Sequence, residues 1–369
     1  MKKISIAEFI GSLSDGGADT LIKDYARLID KDKFDISVIA IRENAVSANT
    51  SNIINAGVRI IYIYNKWNLL IRLWNKIMGF WYIPFKVYSI LKENRVQVLH
   101  VHLALLRYVR RIGKRLSGIK LFYTCHNVPQ LMFGDKRKQE KKAAEYLIKN
   151  CGMKMIALHE EMKKSIDELF QIKNTVVIRN GVDLNRFKNM HFTKEEIRYK
   201  LHISQEAFIV GHVGRFAKQK NHDFLLEVFR EIASIKDNAF LLMIGDGDTK
   251  QIVEKLRKYG LEKKYLILSH RSDVNVLMRA MDVFVFPSIY EGLPVALIEA
   301  QVSGLRCVTS KAINEEAFIS KKTLSLDLDS PKEWADTILN ANIVYESKRS
   351  IEEYDMNREI KRLERLYIE

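Results

Sequence analysis

Val283-Phe-Val-Phe286-Pro-Ser-Ile-Tyr-Glu291-Gly-Leu-Pro-Val-Ala-Leu-Ile-Glu299 reads as a buried strand, a tight loop and then a helix. One carboxylate stands in the loop and the other about two turns into the helix, roughly 10 Å apart along its axis. That separation is too great for a dyad sharing one proton, but it suits two ends of one elongated ligand. Between the two acids the first helical turn offers unbonded N–H groups and the positive end of the helix dipole, a natural anion site. Two polar ends around an anionic middle match the shape of a sugar nucleotide.

The same strand-then-helix unit recurs along the chain. Lys3–Ala7 reads as a strand, followed by the loop Asp15-Gly16-Gly17 and a helix near Asp19 to Ile29. Further strands are expected at 34–41, 58–63, 96–102, 120–124, 153–158 and 175–179. The pattern restarts at Phe208–Gly214 and continues through 240–244, 266–268, 283–286 and 306–309. Such alternation predicts parallel, doubly wound sheets. With 369 residues the chain is too long for one ordinary core. Two Rossmann-like domains, 1–185 and 186–350, are expected to face each other across a cleft. A charged helix near Ile351–Tyr367 is free to pack on either, and 351–369 is assigned to the first.

Three scattered cysteines (Cys125, Cys151, Cys307) show no metal-ligand spacing and suit reduced thiols in the cytoplasm. The start, Met1-Lys2-Lys3-Ile4, lacks the apolar run of a signal peptide and reads as a core strand. The net charge of +15 is uneven, since residues 66–120 hold twelve Lys/Arg, from Lys66 to Lys120, against the single acid Glu93. Trp67, Trp74, Trp81, Phe80, Tyr82, Phe85 and Tyr88 lie in the same stretch, whose uncharged runs are too short to span a bilayer. Apolar bulk with interfacial aromatics and basic flanks suits contact with anionic lipid. A core helix with a solvated basic side is the plain alternative. No nucleic-acid motif accompanies the charge.

In open α/β sheets, ligands sit beyond the C-terminal ends of strands, which singles out several loops. Gly214-Arg215-Phe-Ala-Lys-Gln-Lys220 places two cations where they can clamp a diphosphate. Gly16 and Gly17 allow close backbone approach before a helix, though without the Gly-x-Gly-x-x-Gly order. His100 and His102 alternate on one strand, so one of them, His102, is taken to face the ligand, and His126 is similarly placed. No Asp/Glu/His cluster at ligand spacing supports a metal pair. Asp246-Gly-Asp248 is better read as a turn and helix cap than as a manganese site. Arg271 and the amides of 270–272 can meet a base edge.

Taken together, Gly16-Gly17, Gly214-Arg215…Lys220, Glu291…Glu299, Ile178-Arg-Asn-Gly-Val-Asp183 and Glu299-Ala-Gln-Val-Ser-Gly304 resemble retaining glycosyltransferases of the GT-B fold. The likeness is to the group-1 family, bacterial exopolysaccharide and capsule type. It implies that Arg215 and Lys220 contact the donor diphosphate, that Glu291 holds sugar hydroxyls, and that Glu299 grips the ribose. Gly16, Gly17, Gly214, Arg271 and the loop Gly292, Leu293, Pro294, Val295 would complete the donor site. His102 would touch the donor sugar, and His126 and Asn127 would face the acceptor. The implied activity is transfer of a hexose from a nucleoside-diphosphate sugar, UDP favoured, to a lipid-linked glycan on the inner face of the membrane. It needs no metal or other cofactor. A sugar-nucleotide epimerase and a non-catalytic sugar-nucleotide-binding protein are the rival readings. Gln301, Arg306 and Asp19 stand where the family usually has Met, Pro and Glu.

Overall fold

The strands of this chain are short and apolar because a parallel sheet covered on both faces leaves no polar side. In the computed structural model, which describes residues 2–13, 17–43, 48–65, 67–188, 191–340 and 349–369, they form two separate sheets. The chain divides into one unit of residues 1–180 with 357–369 and another of residues 181–356.

In the first unit, β1 (Ile4–Ile10), β2 (Phe34–Arg42), β3 (Arg59–Tyr64), β4 (Val98–His102), β5 (Lys120–Thr124), β6 (Lys154–Ala157) and β7 (Val176–Val177) are all parallel, in the order β3-β2-β1-β4-β5-β6-β7. The order reverses between β1 and β4, where Glu8 lies opposite His100. The terminal helix Met356–Ile368 belongs to this unit from residue 357 onward. Ile360, Leu363 and Tyr367 recur at helical spacing and are buried. Glu364 accepts from the Asp30 amide at 2.8 Å and Glu359 from the Arg179 amide at 2.8 Å.

The second unit holds β8 (Phe208–Val213), β9 (Ala239–Ile244), β10 (Tyr265–Leu268), β11 (Val283–Phe286), β12 (Arg306–Ser310) and β13 (Thr323–Leu326), in the order β10-β9-β8-β11-β12-β13. Its core gathers Leu225, Phe229, Leu241, Met243 and Trp334, whose indole donates to the Asp327 carbonyl at 2.7 Å. Here the reversal lies between β8 and β11. Gly245, after β9, has no alternative residue, since a Cβ there would fall 2.0 Å from the Gly214 carbonyl oxygen.

Several expectations shift. The division falls at 180/181 and 356/357 rather than 185/186 and 350/351, because Val182 pairs with Asp355 inside the second unit. Gly181 permits this, as a Cβ would stand 2.6 Å from the Met356 Cα. The terminal segment is a short 3₁₀ turn, Ile351–Tyr354, and then the helix, not one continuous helix from 351. Strand β13 has no counterpart among the expected strands. The three cysteines are free, with Cys125 and Cys307 buried.

Gln301 explains itself in this setting. From the helix Val295–Val302 its amide donates to Leu297 and Ala317 carbonyls at 3.1 and 2.8 Å. Its oxygen accepts from the Ile319 and Ser320 amides and the Thr323 hydroxyl at 2.7, 2.9 and 2.9 Å. Methionine fills the space but satisfies none of these buried groups. Gln301→Met should therefore lower the unfolding free energy by about 3 kcal/mol in a denaturant titration.

Candidate active site

In the second unit the two adjacent central strands, β8 and β11, each end in a loop carrying an expected site residue. After β8, the chain runs through Gly214 and Arg215 into a 3₁₀ turn at Lys218–Lys220, and Asn221 adopts a left-handed conformation (φ 54°) before the helix His222–Ile235. After β11 comes the loop to Pro294. The loops are tied together by the Ile289 amide donating to the Gln219 carbonyl and by the Gln219 side chain donating to the Tyr290 carbonyl, both at 2.9 Å.

That tie brings Lys220 and Glu291 into a nearly buried ion pair, Nζ to Oε1 at 2.7 Å. The ammonium also lies 4.5 Å from the Phe286 ring centroid. Its stem packs so closely on Gly214 that a Cβ there would meet Lys220 Cε at 2.9 Å. The ammonium keeps two further N–H bonds and the carboxylate keeps a second oxygen, so the pair can donate to an anion while accepting from a hydroxyl. Arg215 is exposed, and its guanidinium makes no ion pair among the described residues.

The helix beyond begins at Val295, so Glu299 stands one turn in rather than two. Among the loop amides, Leu297 already donates to the Pro294 carbonyl at 3.0 Å, and proline has no N–H. The expected run of amide donors thus reduces to Leu293, Val295 and Ala296, and Pro294 contributes shape only. Arg271 is exposed and held by Asp273 at 2.8 and 2.5 Å. The His270 amide, offered above to a base edge, is taken by the Asp246 carboxylate at 2.8 Å.

In the first unit, Gly17 opens the helix Gly17–Leu28, while Gly16 lies outside the described residues, as does Lys66. The histidine expectation needs correcting. Residues two apart on a strand share a face, and His100 and His102 do so, with ring centroids 4.3 Å apart. Both are fully buried against Glu8 of β1, which the sequence reading passed over. An acid within the apolar run Ile4–Ile10 was the available signal.

Glu8 Oε2 meets His102 Nε2 at 2.6 Å, and His102 Nδ1 meets His126 Nε2 at 2.8 Å. His100 spans the Tyr367 hydroxyl at 2.6 Å and Thr124 at 2.7 Å, and Tyr367 donates to Glu8 Oε1 at 3.1 Å. Burial alone would raise the Glu8 carboxyl, but attraction and hydrogen bonds from His100 and His102 outweigh it and bring it to about 2. Burial, then repulsion from His100, brings His102 to about 4 against the pull of Glu8. Desolvation, then His102 and His100, holds His126 well below its ordinary value.

Contrary to the sequence reading, an Asp/Glu/His cluster exists. Glu8, His100 and His102 hold ligand-capable atoms within 4.8 Å of one another. The strand order assembles it from residues far apart in sequence. Every one of those atoms already has a hydrogen-bond partner, so the network is satisfied as it stands. His102 has both nitrogens engaged and no exposed surface, so it cannot touch a sugar without breaking a bond. His126 is partly exposed, and the Asn127 side chain accepts from the Val128 amide at 2.8 Å just before the helix Pro129–Phe133.

Both halves of the chain match known protein families. Residues 193–355 match the family Glycosyl transferases group 1, and residues 15–186 match Glycosyltransferase Family 4. The chain is 28% identical over 355 residues to the putative glycosyltransferase EpsF of Bacillus subtilis, covering 93% of this chain and 89% of that one. It is 32% identical over 250 residues to the UDP-Gal:alpha-D-GlcNAc-diphosphoundecaprenol alpha-1,3-galactosyltransferase of Escherichia coli, covering 64% and 63%. The crystal structure of Anabaena Alr3699/HepE with UDP and glucose has the same fold, with a TM-score of 0.77 at 17% identity over 98% of this chain and 99% of that one.

The buried histidines set an acid limit on stability. Glu8 and His102 bind protons less readily folded than unfolded, so unfolding takes up protons and stability rises with pH. The His102 contribution is complete above pH 6.5 and lost as pH falls through about 4, and that of Glu8 is complete above 4.5 and lost through about 2. His222, lowered to about 4 by burial and by Lys220, acts alike in the second unit. Thermal unfolding should therefore move to lower temperature at each step from pH 7 to 4. A rise over that window would contradict a neutral, buried His102.

Proposed function

This chain belongs to the group 1 glycosyltransferases of the GT-B fold, and on that premise we propose that it moves a hexose from a UDP-sugar to a lipid-linked glycan in bacterial surface polysaccharide assembly. The observation that carries the donor assignment is the Lys220–Glu291 pair at the strand-order reversal of the second unit. In this reading Lys220 and Arg215 neutralise the diphosphate and Glu291 accepts from hydroxyls of the donor sugar. The Val295 and Ala296 amides meet phosphate, and Glu299 meets the ribose. The complex of the Anabaena protein with UDP and glucose supports a uridine nucleotide, and the name of the E. coli relative supports a diphosphate-lipid acceptor.

The chemistry is displacement with retention. The bond from the anomeric carbon to the diphosphate oxygen breaks, and a bond to the acceptor hydroxyl oxygen forms on the same face. The hydroxyl proton passes to the departing phosphate oxygen, so UDP leaves and no side-chain base is needed. Fixed positive charge where the leaving group gains negative charge lowers the barrier. No metal is required, because the two cations take that part.

The membrane side of the reading rests on the helix Leu69–Glu93. Leu70, Ile77, Trp81 and Phe85 are between 61% and 76% exposed, an unusual density of apolar side chains facing water. Arg111 stacks on Phe80 and Trp81 at 3.5 and 3.8 Å, so charge and apolar surface lie together. No described helix is long and apolar enough to cross a membrane. We assign this face to anionic lipid, with the protein peripheral on the cytoplasmic leaflet.

Lys220→Ala, Arg215→Ala and Glu291→Ala should each reduce transfer from UDP-sugar to a diphosphate-lipid acceptor by about 100-fold or more. The exposed Arg215→Ala should keep an unfolding temperature near wild type, whereas loss of either half of the ion pair should lower it by stranding the partner's charge. Wild-type rates in all three would defeat the donor assignment, and conversion of the donor sugar without acceptor would mark an epimerase. Transfer should also survive dialysis against EDTA. The double substitution Ile77→Glu and Trp81→Glu should abolish sedimentation with phosphatidylglycerol vesicles while leaving UDP affinity unchanged.

A further inference from the structure

The buried network of the first unit has a direction. Glu8 is held as a carboxylate, which only accepts hydrogen bonds, so the 2.6 Å contact requires His102 to carry its proton on Nε2. A neutral imidazole has one N–H, which leaves His102 Nδ1 bare. The 2.8 Å contact to His126 Nε2 then requires that nitrogen to be the protonated one. His126 Nδ1 is bare in turn, and it makes no hydrogen bond among the described residues. Burial locks the sequence of steps, since Glu8 and His102 have no exposed surface and Glu8 is further fixed by His100 and by Tyr367 of the terminal helix.

We infer that Glu8 is a positioning residue which, through His102, presets His126 as a hydrogen-bond acceptor for a hydroxyl of the ligand. A bare ring nitrogen welcomes an O–H donor and repels a phosphate or carboxylate oxygen. The first unit thereby selects a sugar or alcohol group at His126 and leaves the anionic part of the ligands to other residues. The identification of that hydroxyl as a saccharide's rests on the transferase reading, and the polarity itself does not.

The test is ring-nitrogen NMR on full-length protein labelled with ¹⁵N-histidine at pH 7, with His126 assigned by the signals lost in His126→Gln. The expected spectrum shows His126 protonated at Nε2 and bare at Nδ1. Protonation at Nδ1 in the wild type overturns the inference, and this measurement needs no variant to fold. In Glu8→Gln an amide can present N–H to His102, so the Nδ1-protonated form of His126 should appear. An unchanged tautomer in folded Glu8→Gln removes Glu8 from the role. UDP binding by calorimetry, which reads the second unit, should be retained and reports folding. Turnover of UDP-glucose with a lipid-diphosphate acceptor should fall at least about tenfold in Glu8→Gln. If the tautomer changes and turnover does not, the polarity stands and the use of His126 in transfer fails.

Discussion

Parallel strands cannot be joined by a tight turn, so each connection must cross over the sheet, and nearly all such crossovers are right-handed. That single constraint governs both units. A chain that adds strands first to one side and then to the other must send its helices to opposite faces. At the reversal, the loops leaving neighbouring strands part and a crevice opens at their C-terminal ends. In the second unit this is the β8/β11 boundary, with Lys220 and Glu291 on its two loops. In the first it is β1/β4, with Glu8 on one strand and His100 and His102 on the other. Chemistry collects where the topology leaves room for it.

The two units handle buried charge differently. Lys220 and Glu291 form one hydrogen-bonded ion pair that leaves further donors and acceptors unused. Around Glu8, one negative charge is met by His100, His102 and Tyr367, and every polar atom of that trio and Glu8 has its match. Desolvation makes an incomplete network costly and a complete one rigid. The first arrangement can bind by adding contacts. The second can only hold its neighbour, His126, in one orientation.

Much of the fold was legible in the linear pattern. Val283–Phe286 is a strand as read, and the remaining expected strands lie within a few residues of their positions, because apolar runs closed by Gly, Pro and Asn encode local conformation directly. The loops at Gly214–Lys220 and Glu291–Val295 were legible for the same reason. Strand β13, Thr323-Leu-Ser-Leu326, escaped because a short edge strand between polar segments carries little periodicity. Gln301 looked like an aberration and proves to be a five-bond anchor whose partners lie up to 22 residues away.

By itself, then, the sequence determined two doubly wound domains, the places of most of their strands and the loops that follow them, since each of these is written in neighbouring residues. The tertiary structure alone decided which of their residues meet. Lys220 and Glu291 are 71 positions apart, Glu8 and His102 are 94, and Glu8 and Tyr367 are 359. No local signal spans such intervals. Only the order and register of the strands bring these groups within hydrogen-bonding distance, and with that contact come the ion pair, the proton positions and the direction of the histidine chain.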